Sequence, residues 1–265
     1  MQNDDCGLLL FDFRGQGKSL DAEISEQGSF LGRPTVLEQS KIIEYLVDHF
    51  EIPKFDLLFG LSYGGGIAIR YASLNRSMVD KLLLMAPFTI RLDQSHQIQR
   101  TWHAQLELVK SFNPVFRLGL ETADSAYDRY LYSYMNQRFS GEIPDPIRRD
   151  AAIQLSFGIM RFNVFHCLKS LPDSSVHLIV AGQDTLVPQR LFDELWEKLQ
   201  PNIRESYLLL EDAHHIVPMT SSRFIGKWAQ ELLSGNERIK GGQTFRGESD
   251  HLHAKDAFGS EFKFG

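Results

Sequence analysis

The chain has 265 residues, of which 43% are apolar and 23% charged, and a net charge of -6. This length holds one large domain, or one domain with an insertion, and the composition excludes a mainly disordered chain. The acidic balance disfavours phosphate-backbone binding, so nucleic acid is not an expected partner, and the two cysteines, Cys6 and Cys167, suit a reducing, cytoplasmic setting.

The first apolar run, Gly7 to Phe11, follows Asp4 and Asp5 and is far shorter than the ~20 residues that span a bilayer. It has no basic n-region and no cleavage site, so neither signal peptide nor integral membrane segment is read here. Five short apolar runs bounded by turn residues read as strands: Gly7 to Phe13, Phe55 to Leu61, Lys81 to Pro87, Val176 to Gly182 and Ser206 to Leu210. They are nearly continuous in Leu, Ile, Val and Phe, as strands covered on both faces of a parallel sheet are.

Helical patterns lie between them. Thr35 and Glu38 have the spacing of a capping box, and Ile42, Ile43, Leu46, Val47 and Phe50 follow on one helix face. Ile67 to Ser73 reads as a small-residue helix. Leu191 to Leu199 and Phe224 to Leu233 read as amphipathic helices. Strands alternating with helices predict an α/β fold with a core over residues 1–88 and 172–234.

The long interval 89–171 has no strand pattern. Three helical stretches, Gln94 to Phe112, Thr122 to Phe139 and Pro146 to Phe165, carry many aromatic residues and predict a helical cap. Residues 235–265 hold six glycines, scattered charge and no periodicity, and are expected to form a disordered tail with few contacts to the body.

The chemistry concentrates in Gly60-Leu61-Ser62-Tyr63-Gly64-Gly65, at the end of one strand and the start of a helix. A serine in such a sharp turn holds its hydroxyl clear of the sheet, and glycines at minus two and plus two are expected to relieve the tight backbone. The following helix N-terminus favours negative charge that develops beside the serine. The bland alternative is a chance Gly-Ser-Gly turn. A nucleophilic serine also needs a base and a group that orients the base. Asp184 follows the strand Val176 to Gly182, and the pair His214 and His215 follows Ser206 to Leu210. Each group lies just past a strand's C-terminal end, where open α/β sheets place their sites. Adjacent histidines in a loop point differently, so one of the two faces Ser62. Asp212 competes with Asp184, but on the histidine's own loop it would have to fold back.

The segment Asp12-Phe13-Arg14-Gly15-Gln16-Gly17-Lys18-Ser19 resembles the Asp-x-Arg-Gly-x-Gly-x-Ser turn of α/β-hydrolases. Together with Gly60 to Gly65, Gly182 to Asp184 and Ala213 to His215, the resemblance runs from about residue 7 to 233. Within that superfamily the chain is most similar to the lysophospholipase and monoglyceride-lipase-like serine hydrolases, which also carry a helical cap. The resemblance implies Ser62 as nucleophile, Asp184 as acid and His215 as base, with the Tyr63 backbone N–H as oxyanion donor. It implies hydrolysis of a small-molecule carboxylic ester with an apolar acyl chain, with no metal or organic cofactor. A peptidase of the iminopeptidase type, and a non-catalytic binding protein that keeps the triad, stand as rival readings.

The chain departs from the family pattern at its start. The family places further strands ahead of Gly7 to Phe13, and one of them lies between it and Phe55 to Leu61. The chain is read as lacking them, and the second oxyanion donor, which follows one of those strands, has no candidate here. Gly7 to Phe13 is therefore expected either to pair directly with Phe55 to Leu61 or to leave a gap of roughly 9 to 10 Å, two strand spacings. The remaining polar candidates are weaker. Cys6 and Cys167 read as buried apolar fillers, and His96, His103 and His166 lack metal-ligand spacing. Asp250, His251 and His253 read as parts of a solvated tail.

Overall fold

A computed structural model describes residues 7–28, 30, 32, 34–88, 151, 154–155, 162–171, 175–184, 187, 189–235, 239, 242–247, 253–256 and 261–263. Of the helices expected between residues 94 and 165, the first two lie outside these and the third is described only at 151, 154–155 and 162–165; Cys6, His96, His103, Asp250 and His251 also lie outside.

Among the described residues, seven strands form one sheet in the order β1-β2-β3-β4-β5-β6-β7. They are β1 (Phe55–Leu61), β2 (Val79–Met85), β3 (Ser175–Ala181), β4 (Arg204–Leu210), β5 (Gln243–Gly247), β6 (His253–Asp256) and β7 (Glu261–Lys263). The pairings from β1 to β5 are parallel, and β5-β6 and β6-β7 are antiparallel. The described helices are α1 (Gly17–Gln27), α2 (Val36–His49), α3 (Tyr63–Leu74), the short α4 (Phe165–Leu168), α5 (Gln189–Lys198) and α6 (Val217–Leu233). None of them is long and apolar enough to cross a membrane.

The centre of the sheet is the driest part of the molecule. Leu82, Leu83, Leu84 and Met85 of β2 and Leu178, Ile179 and Val180 of β3 have no solvent exposure. Both faces of these strands are covered, which is why their sequences run apolar without alternation. Helix α3 packs against β1 and α2 packs against α3. The capping box at α2 forms both of its bonds: the Glu38 N–H donates to Thr35 Oγ1 at 3.2 Å and the Thr35 N–H to Glu38 Oε2 at 2.7 Å.

Two expectations need correction. Gly7 to Phe13 is not a strand: its backbone joins no described ladder, and β1 is an edge of the sheet among the described residues. A strand needs a neighbour for its N–H and C=O groups. Without one, Leu8 and Leu10 stand 81% and 79% exposed, while Phe11 and Phe13 still pack on the core. The segment ends instead in a cap for α1. The Lys18 N–H donates to Asp12 Oδ2 at 2.9 Å and the Ser19 hydroxyl to the Asp12 carbonyl at 2.7 Å. Helix α1 itself has Leu20 as its one buried residue, so it carries no apolar stripe to read.

The second correction concerns the tail. Residues 243–247 are not disordered but form β5, parallel to β4, and residues 253–256 and 261–263 extend the sheet further. Phe245 is 2% exposed, edge-on to Trp228 with ring centroids 5.2 Å apart. One buried aromatic and a parallel backbone ladder outweigh the weak local propensity of Gln-Thr-Phe-Arg-Gly.

Candidate active site

Strand β1 ends at Leu61 and α3 begins at Tyr63, so the whole reversal falls on Ser62. Its φ of 49° and ψ of −115° put a non-glycine residue in a sparsely populated region. Such strain persists only where neighbours over-determine the turn. Four backbone bonds do so here. The Ser62 N–H donates to the Met85 carbonyl at 2.9 Å, and the Ser62 carbonyl accepts from Gly65, Gly66 and Phe88 at 3.0, 3.3 and 2.9 Å.

The glycines around it are needed for space, though not as the minus-two and plus-two spacing suggests. A Cβ on Gly60 would lie 2.7 Å from the Gly64 carbonyl oxygen and 2.7 Å from Gly65 Cα. One on Gly65 would lie 2.7 Å from Pro87 Cβ. Gly64 faces open space. Gly60 and Gly65 therefore let β1, α3 and the end of β2 close on one another.

The sheet brings three of the candidate side chains into one line. His215 Nε2 lies 2.7 Å from Ser62 Oγ, and His215 Nδ1 lies 2.7 Å from Asp184 Oδ2. The His215 and Asp184 side chains are 9% and 1% exposed. An ionised carboxylate only accepts, so Nδ1 carries the proton and Nε2 is left to accept from the serine hydroxyl. The other carboxylate oxygen, Asp184 Oδ1, accepts the Val187 N–H at 2.9 Å. His214 sits half-buried on the same turn, and Asp212 is exposed; it is His215 and Asp184 that meet.

The two loops that carry these groups are tied to each other. The Gln183 N–H donates to the Ala213 carbonyl at 2.9 Å, and the Gly182 N–H to the Leu210 carbonyl at 2.8 Å. A Cβ on Gly182 would lie 2.5 Å from the Glu211 carbonyl oxygen, so the loops approach as closely as backbone allows. No sequence pattern marks these ties, because they are made by backbone atoms. Tyr63 opens α3, so its N–H has no acceptor within the helix and points, with the helix dipole, to the side where Ser62 stands. Burial pushes the Tyr63 phenol up to about 12.

The described candidates outside this line stand elsewhere. Cys167 is 2% exposed, with the Arg70 guanidinium 3.6 Å from its sulfur. His166 lies 3.4 Å from the Asn163 side-chain nitrogen, and His253 belongs to β6.

The fold recurs in solved structures. A thermophilic esterase from Thermogutta terrifontis is 17% identical, with a TM-score of 0.58 over 77% of this chain and 74% of its own. An esterase from Exiguobacterium antarcticum is 16% identical, with a TM-score of 0.61 over 77% and 75%. A bromoperoxidase from Bacillus anthracis is 16% identical, with a TM-score of 0.59 over the same shares. Identities this low speak for the fold alone. The family described as alpha/beta hydrolase fold matches residues 2–222, most of the chain, and to that family this protein belongs.

Proposed function

We propose that the protein is a serine hydrolase that cleaves a carboxylic ester, of the lysophospholipase or monoacylglycerol-lipase type, by way of an acyl-enzyme. The observation that carries this reading is the unbroken line Ser62 Oγ, His215, Asp184, with 2.7 Å at each step. In this reading His215 Nε2 takes the hydroxyl proton as Ser62 Oγ bonds to the ester carbonyl carbon. The negative charge that gathers on the carbonyl oxygen faces the Tyr63 N–H and the α3 N-terminus. Collapse breaks the bond to the leaving alcohol, which takes the proton from His215. Water then gives a proton to His215, attacks the acyl carbon and releases the acid as Ser62 recovers its hydrogen. Asp184 stays ionised throughout, holds the imidazole tautomer and stabilises the imidazolium. The preference for an apolar acyl chain rests on the aromatic-rich interval 89–171.

The test is labelling by a fluorophosphonate probe together with turnover of p-nitrophenyl esters of rising chain length. The wild type is expected to label at Ser62, and Ser62→Ala to lose both labelling and turnover. Asp184→Asn should keep the fold but lose about 10⁴-fold in kcat, because the amide no longer holds the productive tautomer. Turnover of N-terminal proline amides in place of esters would instead favour the iminopeptidase reading. A folded wild type that neither labels nor turns over would leave the non-catalytic one.

A further inference from the structure

Strand β5 lies beyond residue 222, where the family match ends, yet it bonds one end of the loop that carries His215 and packs on the helix that follows that loop. At the near end it extends the β4 ladder past its last residue. Leu210 stands opposite Gly247, and the next N–H, that of Glu211, donates to the Gly247 carbonyl at 2.9 Å. The Arg246 guanidinium adds a contact to Glu211 Oε1 at 3.3 Å. On the helix that follows the loop, past the break at Ser221, Phe245 packs edge-on to Trp228 at 5.2 Å, and Trp228 stacks on Phe224 at 6.1 Å. Both partners are fully buried in α6, the helix that starts two residues after His215. One strand thus bonds the residue at which the loop 211–216 leaves β4, and packs against the part of α6 that follows the break in helical geometry at Ser221. The Ala213 carbonyl within that loop accepts the Gln183 N–H, so the same clamp reaches the loop of Asp184.

We propose that β5 is a positioning element for the reaction. Phe245, acting through Trp228 and Phe224, and the Gly247 carbonyl, acting through Glu211, hold His215 in register with Ser62 and Asp184. The proposal rests on the reading of these three residues as the reacting groups. Errors in placement of about 1 Å at a reacting centre cost up to ~10²-fold in rate. A loosened clamp should therefore appear in kcat, whereas the substrate-binding residues, and with them KM, stay as they are.

The experiment compares the full chain with Phe245→Ala, Phe245→Val and Phe245→Leu. It reads p-nitrophenyl butyrate kinetics, the fluorophosphonate labelling rate and amide hydrogen exchange at Gln183 and Glu211. Phe245→Ala is expected to lose about 10- to 100-fold in kcat and in labelling rate at nearly constant KM. Exchange at Gln183 should speed up, and Phe245→Leu should restore most of the rate. Phe245→Val carries the same comparison if the alanine variant does not fold. Unchanged kcat, labelling and Gln183 exchange in a variant whose melting temperature has dropped would overturn the proposal. So would a loss of rate equal to the unfolded fraction. If the wild type neither labels nor turns over, the hydrolase reading is what fails. Gln183 exchange then decides alone: faster exchange in the variant retains the clamp, and unchanged exchange removes it.

Discussion

At Ser62 the backbone is held in a conformation that its own side chain disfavours, and the surrounding residues are chosen for closeness rather than for contact. Gly60 and Gly65 have backbone or proline atoms within 2.7 Å of where a Cβ would stand, and Gly64 has none. Gly65→Ala is therefore expected to cost about 1 to 3 kcal/mol through overpacking against Pro87. It should also slow labelling at Ser62, because the turn must shift to make room. Gly64→Ala adds a methyl group to a half-buried helical turn where it meets nothing within 4 Å, and is expected to leave stability the same or slightly higher. Thermal melts of the two variants check this ordering; equal melting temperatures would show that the turn yields at no cost. The sequence pattern Gly60 to Gly65 was enough to locate the turn and its serine. It did not distinguish the glycine that touches Pro87 from the one that touches nothing, since that depends on where β2 ends in space. The choice between His214 and His215 was likewise beyond the spacing of residues, and entered through the family resemblance.

Elements were legible where a buried stripe or a run marked them. Strand β1, helix α3 and the capped helix α2 lie where their apolar spacing predicts. Helix α1 and strand β5 escape for the same reason: each buries a single side chain, Leu20 and Phe245, so neither carries an apolar pattern. Gly7 to Phe13 shows the reverse error, an apolar run that reads as a strand yet joins no ladder among the described residues. What fixes this segment instead is Gln39 of α2, which is fully buried. Its Nε2 donates to the Arg14 carbonyl at 2.8 Å, and its Oε1 accepts the Arg14 N–H at 3.2 Å. An amide carries both the donor and the acceptor that the two backbone atoms need. Gln39→Leu keeps the volume but removes the bonds that Gln39 makes to the Arg14 N–H and carbonyl. The expected loss is about 2 to 6 kcal/mol, built from ~1 to 3 kcal/mol for each group that loses its partner. Urea unfolding measures it. A loss below half a kilocalorie would show that water reaches Arg14 and that Gln39 is not the tie between α2 and the start of the chain.

For the molecule as a whole, stability comes from the dry centre of the sheet, and one residue there makes that stability depend on pH. His177 of β3 is 1% exposed, and its Nδ1 lies 2.9 Å from the hydroxyl oxygen of Ser206 on β4. Its Nε2 is buried with no hydrogen-bond partner. Burial, and to a smaller extent the positive charge of Lys81, lower the ring's pKa from 6.5 to about 3. The folded protein thus keeps the imidazole neutral over the range in which the unfolded chain protonates it. The sign follows from linkage: below pH 6.5 the unfolded state binds the extra proton, so stability falls as pH falls. The loss begins near 6.5 and is complete near 3, at ~1.4 kcal/mol for each pH unit between them. Above 6.5 both states are neutral and the group has no effect. Between pH 7 and pH 5 the wild type should therefore lose ~2 kcal/mol that His177→Gln does not lose. The variant is expected to be less stable at pH 7, because glutamine fits the ring's space imperfectly. The comparison is accordingly one of slopes, read from urea midpoints of both proteins at the two pH values. Carboxylates elsewhere titrate equally in both proteins and cancel. Parallel slopes would show that the buried ring is protonated in the folded state, and that the sheet admits a charge at its centre.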